Sequence, residues 1–267
     1  TGMSDPRGIA VDDVAGRVYI ANAGNNSIAV LSSADWTLTD KIPVKHSPDS
    51  LLLEGGKLYV GNWLDGSISI MDPQQRVELR TVEVGGRPQQ MLWDAGSKLV
   101  FVSVEEAGQV IALDSDQRVA KRYQLAASQP TGLALDAKNR KLFVAVRYAV
   151  LMLDADSGSE LGRVPAAGGT DTLWFDPSQQ ALYAAATDGS VNVIDTSGGR
   201  FLSQNELQTQ VRGRSMVYDP AKKLVYLTGG REGRSKIVIL KRVQTQMAST
   251  PASGVSPRNT EVTAEKK

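Results

Sequence analysis

One pattern recurs six times along the chain: an apolar run closed by an acid, a turn, a short segment centred on an aromatic residue, a loop, and a further apolar run. The closing acids are Asp12, Glu54, Asp94, Asp136, Asp176 and Asp219, spaced 42, 40, 42, 40 and 43 residues apart. The aromatics are Tyr19, Tyr59, Phe101, Phe143, Tyr183 and Tyr226, spaced 40, 42, 42, 40 and 43. A fixed period near 40 filled with short strands is the signature of a β-propeller. The expected fold is therefore all-β: a six-bladed propeller of four-stranded antiparallel blades.

Within the first repeat, Gly8–Asp12, Arg17–Asn22, Ser27–Leu31 and Thr37–Val44 are separated by turns rich in Gly, Asn and Asp, the signals of an antiparallel meander. One large ring per blade suits the interface between neighbouring sheets, so the six aromatics are expected between blades. The closing acids are expected to start turns by accepting backbone N–H bonds.

Counting segments exposes a shortfall. The first three strands occur six times, the fourth only five, so the last blade is incomplete by sequence. Residues 1–243 form the expected propeller and 244–267, rich in Thr, Ser, Pro, Glu and Lys, an expected extended or disordered tail. Three sources for the missing strand stay open: chain upstream of Thr1, the segment Thr260–Ala264 folding back, or a partner strand covering the open edge. The first is preferred, because Thr1-Gly2-Met3 reads as an interrupted start.

The bulk composition narrows function. A net charge of +1 gives no global field that points to nucleic acid or an anionic membrane. No apolar run approaches the length of a membrane helix. The absence of cysteine removes disulfides, thiolate metal sites and cysteine nucleophiles. The single histidine, His46, makes acyl transfer and His-ligated metal chemistry poorly supported. Catalytic residues are therefore not assigned, and no cofactor is expected.

Gly8-Ile9-Ala10-Val11-Asp12, Val18-Tyr19-Ile20-Ala21-Asn22, Ser27-Ile28-Ala29-Val30 and Ile42-Pro43-Val44 together resemble the YVTN repeat, and Leu58–Asn62 with Gly66–Asp72 is similar. The resemblance spans residues 6 to about 243. Asn closes the second strand only at Asn22 and Asn62, and the repeat-opening proline (Pro6, Pro48, Pro88, Pro130) gives way to Thr170 and Gly213. YVTN propellers include surface-layer and periplasmic proteins and resemble the propeller parts of some redox enzymes. The resemblance implies an exported protein, periplasmic or extracellular, with a binding role.

In a propeller, the loops between second and third strands share a face with those that lead into the next blade. This places Arg7, Trp63, Arg87, Arg147, Tyr148, Arg212, Arg214, Arg231 and Arg234 on one candidate binding face. Guanidinium groups converging at a rim suit a carboxylate, a phosphate or an acidic partner, and exposed aromatics anchor partners. The expected function is a binding or scaffold module that presents this face to a protein, with possible peripheral association with a membrane complex as an envelope-assembly subunit. The alternative is a channel-mouth enzyme or small-molecule binder holding a divalent cation through Asp49, Asp171, Asn22 and Asn62. Single-stranded nucleic acid is the weakest reading, and sequence-specific nucleic-acid binding is not expected.

Overall fold

The computed structural model describes residues 2–243 and 261–265. Among them every regular element except two short 3-10 turns is a strand, and the strands form six four-stranded antiparallel sheets. Blade 1 consists of β1 (Pro6–Asp12), β2 (Arg17–Asn22), β3 (Ser27–Ser32) and β4 (Leu38–Pro43). Blade 2 consists of β5 (Pro48–Glu54), β6 (Lys57–Asn62), β7 (Ser67–Asp72) and β8 (Val77–Glu83). Blade 3 consists of β9 (Pro88–Asp94), β10 (Leu99–Val104), β11 (Gln109–Leu113) and β12 (Val119–Gln124). Blade 4 consists of β13 (Leu133–Asp136), β14 (Lys141–Val146), β15 (Ala149–Asp154) and β16 (Glu160–Pro165). Blade 5 consists of β17 (Thr170–Asp176), β18 (Ala181–Ala186), β19 (Ser190–Asp195) and β20 (Ser203–Gln208). This is the six-bladed propeller that the period implies.

Blade 6 takes three strands from contiguous chain: β21 (Arg212–Asp219), β22 (Leu224–Arg231) and β23 (Arg234–Val243). The repeat therefore ends one strand short, as its sequence implies. A separate segment, β24 (Glu261–Glu265), pairs antiparallel with β23 from Val243↔Glu261 to Ile239↔Glu265. Of the three sources weighed for that strand, this corresponds to the fold-back. The rest of the expected tail, 244–260 and 266–267, lies outside the described residues.

The chain divides into two compact units, Thr1–Arg147 with Leu151–Leu161, and Tyr148–Val150 with Gly162–Lys267. In the first unit, Tyr19, Ile28, Val30 and Ile42 of blade 1 pack on Leu58, Val60 and Met71 of blade 2. Tyr59, Ile68 and Ile70 of blade 2 then pack on Met91, Val100, Val102 and Ile111 of blade 3. In the second unit, Tyr183, Val191 and Val193 of blade 5 pack on Met216, Tyr218, Val225 and Leu227 of blade 6. Residues alternating along each strand thus face opposite neighbours, and each buried large side chain contributes roughly 1.5–3 kcal/mol. Five of the repeat aromatics are buried, with Tyr19, Tyr59 and Tyr183 in the clusters between neighbouring blades; Tyr226, in the last blade, is only partly buried.

The closing acids start turns as expected. The carboxylates of Asp12, Asp94, Asp136, Asp176 and Asp219 accept N–H bonds from Ala15, Gly96, Asn139, Ser178 and Ala221. At Glu54 a Gly55-Gly56 turn with both φ positive, 57° and 73°, joins β5 to β6 instead. That conformation is one that glycine adopts freely.

Candidate functional site

Three expected binding residues meet in the first unit. Arg7 follows the start of β1, Trp63 opens the loop between β6 and β7, and Arg87 immediately precedes β9. The Arg87 guanidinium carbon lies 4.2 Å from the Trp63 ring centre and that of Arg7 5.8 Å from it, both within cation–π range. The Trp63 backbone N–H donates to the Ser47 carbonyl at 3.0 Å, which fixes the loop.

Acids hold both arginines over the indole. Arg87 Nε is 2.7 Å from Glu106 Oε1, and its backbone N–H donates to Glu106 Oε2 at 2.5 Å. Arg7 Nη2 is 3.0 Å from Asp5 Oδ2, and Nη1 lies 3.7 Å from Asp49. A β-bulge between Pro6 and Ile9 turns Arg7 out of the β1–β2 ladder. The result is a half-buried indole whose charged neighbours are already oriented. Leu64, the next residue, is 65% exposed. The sequence reading missed Leu64; an apolar residue in a loop of Asn, Asp and Gly has no strand partner, and that is the signal that marks it.

Arg87 also lines an open groove of about 420 Å³, together with Glu105, Gln124, Ala127, Ser128 and Gln129 among others. Gln89 Nε2 donates to Glu105 at 2.7 Å, and Gln124 Nε2 donates to the Gly108 carbonyl at 3.1 Å. Arg147 is exposed, with its backbone N–H on the Ser128 carbonyl at 3.0 Å.

The other expected binding residues fall in the second unit. Tyr148 is 60% exposed and lies over Gly168, where an added Cβ would come within 2.6 Å of its ring. Arg231 and Arg234 stand directly opposite each other at the end of the β22–β23 hairpin, and Arg212 is opposite Gly230. Arg214 Nε is 3.2 Å from Asp171 Oδ2, and Arg231 Nη1 donates to Gln210 Oε1 at 2.9 Å.

Of the residues considered for a divalent cation, Asp49, Asp171 and Asn22 have side-chain oxygens engaged elsewhere, whereas the buried Asn62 Oδ1 has no hydrogen-bond partner among the described residues. Asp49 faces Arg7 and Asp171 faces Arg214. Asn22 and Asn62 are fully buried and donate to the hydroxyls of Ser27 and of Ser67 and Ser69. Their role is to knit the second and third strands together at the loop end. Among the described residues no three His, Cys, Asp or Glu side chains are grouped to hold a metal ion. His46 is bound twice to Asp65, through its backbone N–H at 2.6 Å and its Nδ1 at 3.0 Å. Partial burial would raise the Asp65 carboxyl, but the bonds from His46 outweigh it and hold the carboxyl below its usual range.

Among the described residues no helix is long and apolar enough to cross a membrane. The NHL repeat family matches residues 3–31, which hold the first three strands of blade 1 but for Ser32. No curated protein matches the chain by sequence. Solved structures share the fold at low identity. A chain of Kuenenia stuttgartiensis hydrazine synthase is 18% identical with a TM-score of 0.77, over 90% of this chain and 78% of that one. The WD40 β-propeller domain of Doa1 is 10% identical with a TM-score of 0.74, over 89% and 79%. A chain of the mitotic checkpoint complex is 16% identical with a TM-score of 0.72, over 90% and 73%. At these identities the likeness is one of fold.

Proposed function

We propose that this chain is a propeller that acts by binding a protein partner, and that Trp63, Leu64, Arg7 and Arg87 form the centre of its contact surface. The observation that carries this reading is the half-buried Trp63 ring beneath two guanidinium groups that are themselves fixed by Glu106, Asp5 and Asp49. Trp and Arg dominate the energetics of protein interfaces, and a pre-ordered anchor loses little side-chain entropy on binding. Leu64 adds exposed apolar area beside the ring. That a chain of a mitotic checkpoint complex shares this fold fits a role within an assembly.

The finer reading is an exported protein, periplasmic or extracellular, that serves as a subunit of an envelope assembly peripheral to the membrane. Its supports are the resemblance to YVTN repeats and the absence of cysteine. The test is affinity capture from native envelope extract with wild-type protein and with the W63A/R87A double variant. The reading requires a stoichiometric companion that the double variant fails to retain. Equal recovery by both proteins refutes the contact surface, and recovery only from cytosolic extract refutes export.

A further inference from the structure

The rim of blade 6 is a separate concentration of positive charge. Arg212 and Arg214 lie near the start of β21, Arg231 at the end of β22, Arg234 at the start of β23, and Lys236 two residues further on, opposite Gly229. Arg231 and Arg234 form a cross-strand pair of like charge, an arrangement that destabilises a hairpin. The two-residue turn between them, Glu232-Gly233, has φ of 53° and 73°, the left-handed geometry that ties two strand ends tightly.

The glycines around the rim bring the arginine-bearing strand ends together. A Cβ at Gly213 would lie 2.0 Å from the Thr228 carbonyl oxygen, and one at Gly229 would lie 2.4 Å from that of Arg212. No side chain larger than hydrogen fits between β21 and β22 here. The extra residue of the bulge between Arg212 and Ser215 turns this end of β21 out of its ladder. Compensation by acids is thin: Arg214 meets Asp171, while Glu232, 82% exposed, lies 3.5 Å from Arg231. Arg212 and Arg234 have no ion-pair partner among the described residues.

We propose that this rim binds an acidic, extended segment of a protein partner, its carboxylates taken by Arg212, Arg231 and Arg234. The charges are spread over three adjacent strand ends about 5 Å apart, a spacing that suits successive carboxylates on an extended chain better than one compact anion. Planar guanidinium forks bind carboxylates in pairs, and an acidic ligand would relieve the Arg231–Arg234 repulsion. This inference rests on the binding-module reading but uses residues of the other unit, so the two fail separately.

The experiment is fluorescence anisotropy on the full chain with a short labelled peptide alternating Glu and Ser. Peptides with Gln or Lys in place of Glu, and a single-stranded oligonucleotide, serve as competitors. The Glu peptide should bind in preference to all three, weaken as salt rises, and lose roughly tenfold in affinity in R231Q/R234Q. R231K/R234K, which keeps the charge without the fork, should fall between. W63A/R87A should bind the peptide as wild type does even where partner capture is lost. Equal binding of the Gln peptide, preference for the oligonucleotide, or unchanged affinity in R231Q/R234Q overturns the proposal. Melting of the variants no lower than wild type confirms that any loss is local, and R231Q/R234Q, relieved of the like-charge pair, should melt at or above it.

Discussion

Arg140 reaches back 46 residues to place Nη1 2.6 Å from Asp94, a carboxylate with no solvent exposure. Arg140 lies in the turn that follows β13 and Asp94 ends β9, so the pair joins blade 4 to blade 3. The same guanidinium holds Asp156 through Nε at 3.1 Å and Nη2 at 2.6 Å. In the second unit Asp176 of blade 5 plays the corresponding part, receiving the Tyr218 hydroxyl of blade 6.

Removing Arg140 leaves Asp94 buried without its counter-charge, held only by the bonds from Ser97 and Gly96. Arg140→Ala should therefore lower the unfolding free energy by about 3 kcal/mol, the low end for a buried pair because the arginine keeps 27% of its side chain exposed. Urea unfolding measures this, and a loss below about 1 kcal/mol would show that the pair behaves as a surface contact.

The same acids set the response to pH. Burial raises the carboxyls of Asp94 and Asp176, but the bonds from Ser97, Arg140 and Gly96, and from Tyr218, Ser178 and Gln179, prevail and hold both below the ordinary 3.8. A depressed folded pKa gives stability that is present above 3.8 and is lost as pH falls through the folded value. Stability should thus drop steeply below that point, and D94N or D176N should flatten the slope. At the alkaline end, burial and then Asp156 push the Tyr123 hydroxyl up to about 12 from 10.0. Its contribution is complete below 10.0 and is lost as pH climbs to about 12. Y123F, which gives up the bond to the Ala155 carbonyl, should cost about 1 kcal/mol at neutral pH and weaken that alkaline loss.

Gly8 lets β1 lie against β5. An added Cβ would sit 2.2 Å from the Asp49 carbonyl oxygen, so Gly8→Ala must part the first two blades. The expected cost is about 1–3 kcal/mol. Because Asp49 also orients Arg7, the variant should lose partner capture at temperatures where it is still folded. Thermal melting and capture on one preparation separate the two effects.

Trp63→Ala should do the reverse. Its cation–π contacts contribute only about 0.5–1 kcal/mol each in an exposed setting, so melting should change little while partner affinity falls at least roughly tenfold. Arg87→Lys, which retains charge but not the planar stack, should lie between wild type and W63A. A melting point lowered as far as that of Arg140→Ala would identify Trp63 as a core residue.

The blades were legible in the chain because their residues repeat, and repetition turns six weak strand patterns into one strong signal. The turn acids and the placing of Tyr19, Tyr59 and Tyr183 between blades followed from that period. The role of Asn22 and Asn62 did not: an amide at a strand end serves a ligand or a serine hydroxyl equally well in sequence, and burial decides for the serine. The Asp94–Arg140 pair was equally silent, since Asp94 looks like every other turn acid and Arg140 like any arginine in a polar turn. Trp63, Arg7 and Arg87 were each placed on the loop face by register. Their convergence was not, because it depends on acids at positions 5, 49 and 106 that lie at no common offset.

Five of the six blades carry a β-bulge between their first two strands, ahead of Ile9, Leu51, Thr172 and Ser215 and opposite Val102–Val104 in blade 3. The positions freed there hold Arg7, Asp49, Gln89, Asp171 and Arg214, outside the ladder that stabilises each blade. Each is a socket whose occupant can be exchanged without rewriting the sheet beneath. A scaffold of this kind separates what is recognised from what keeps it folded, and new specificities could be grafted one blade at a time.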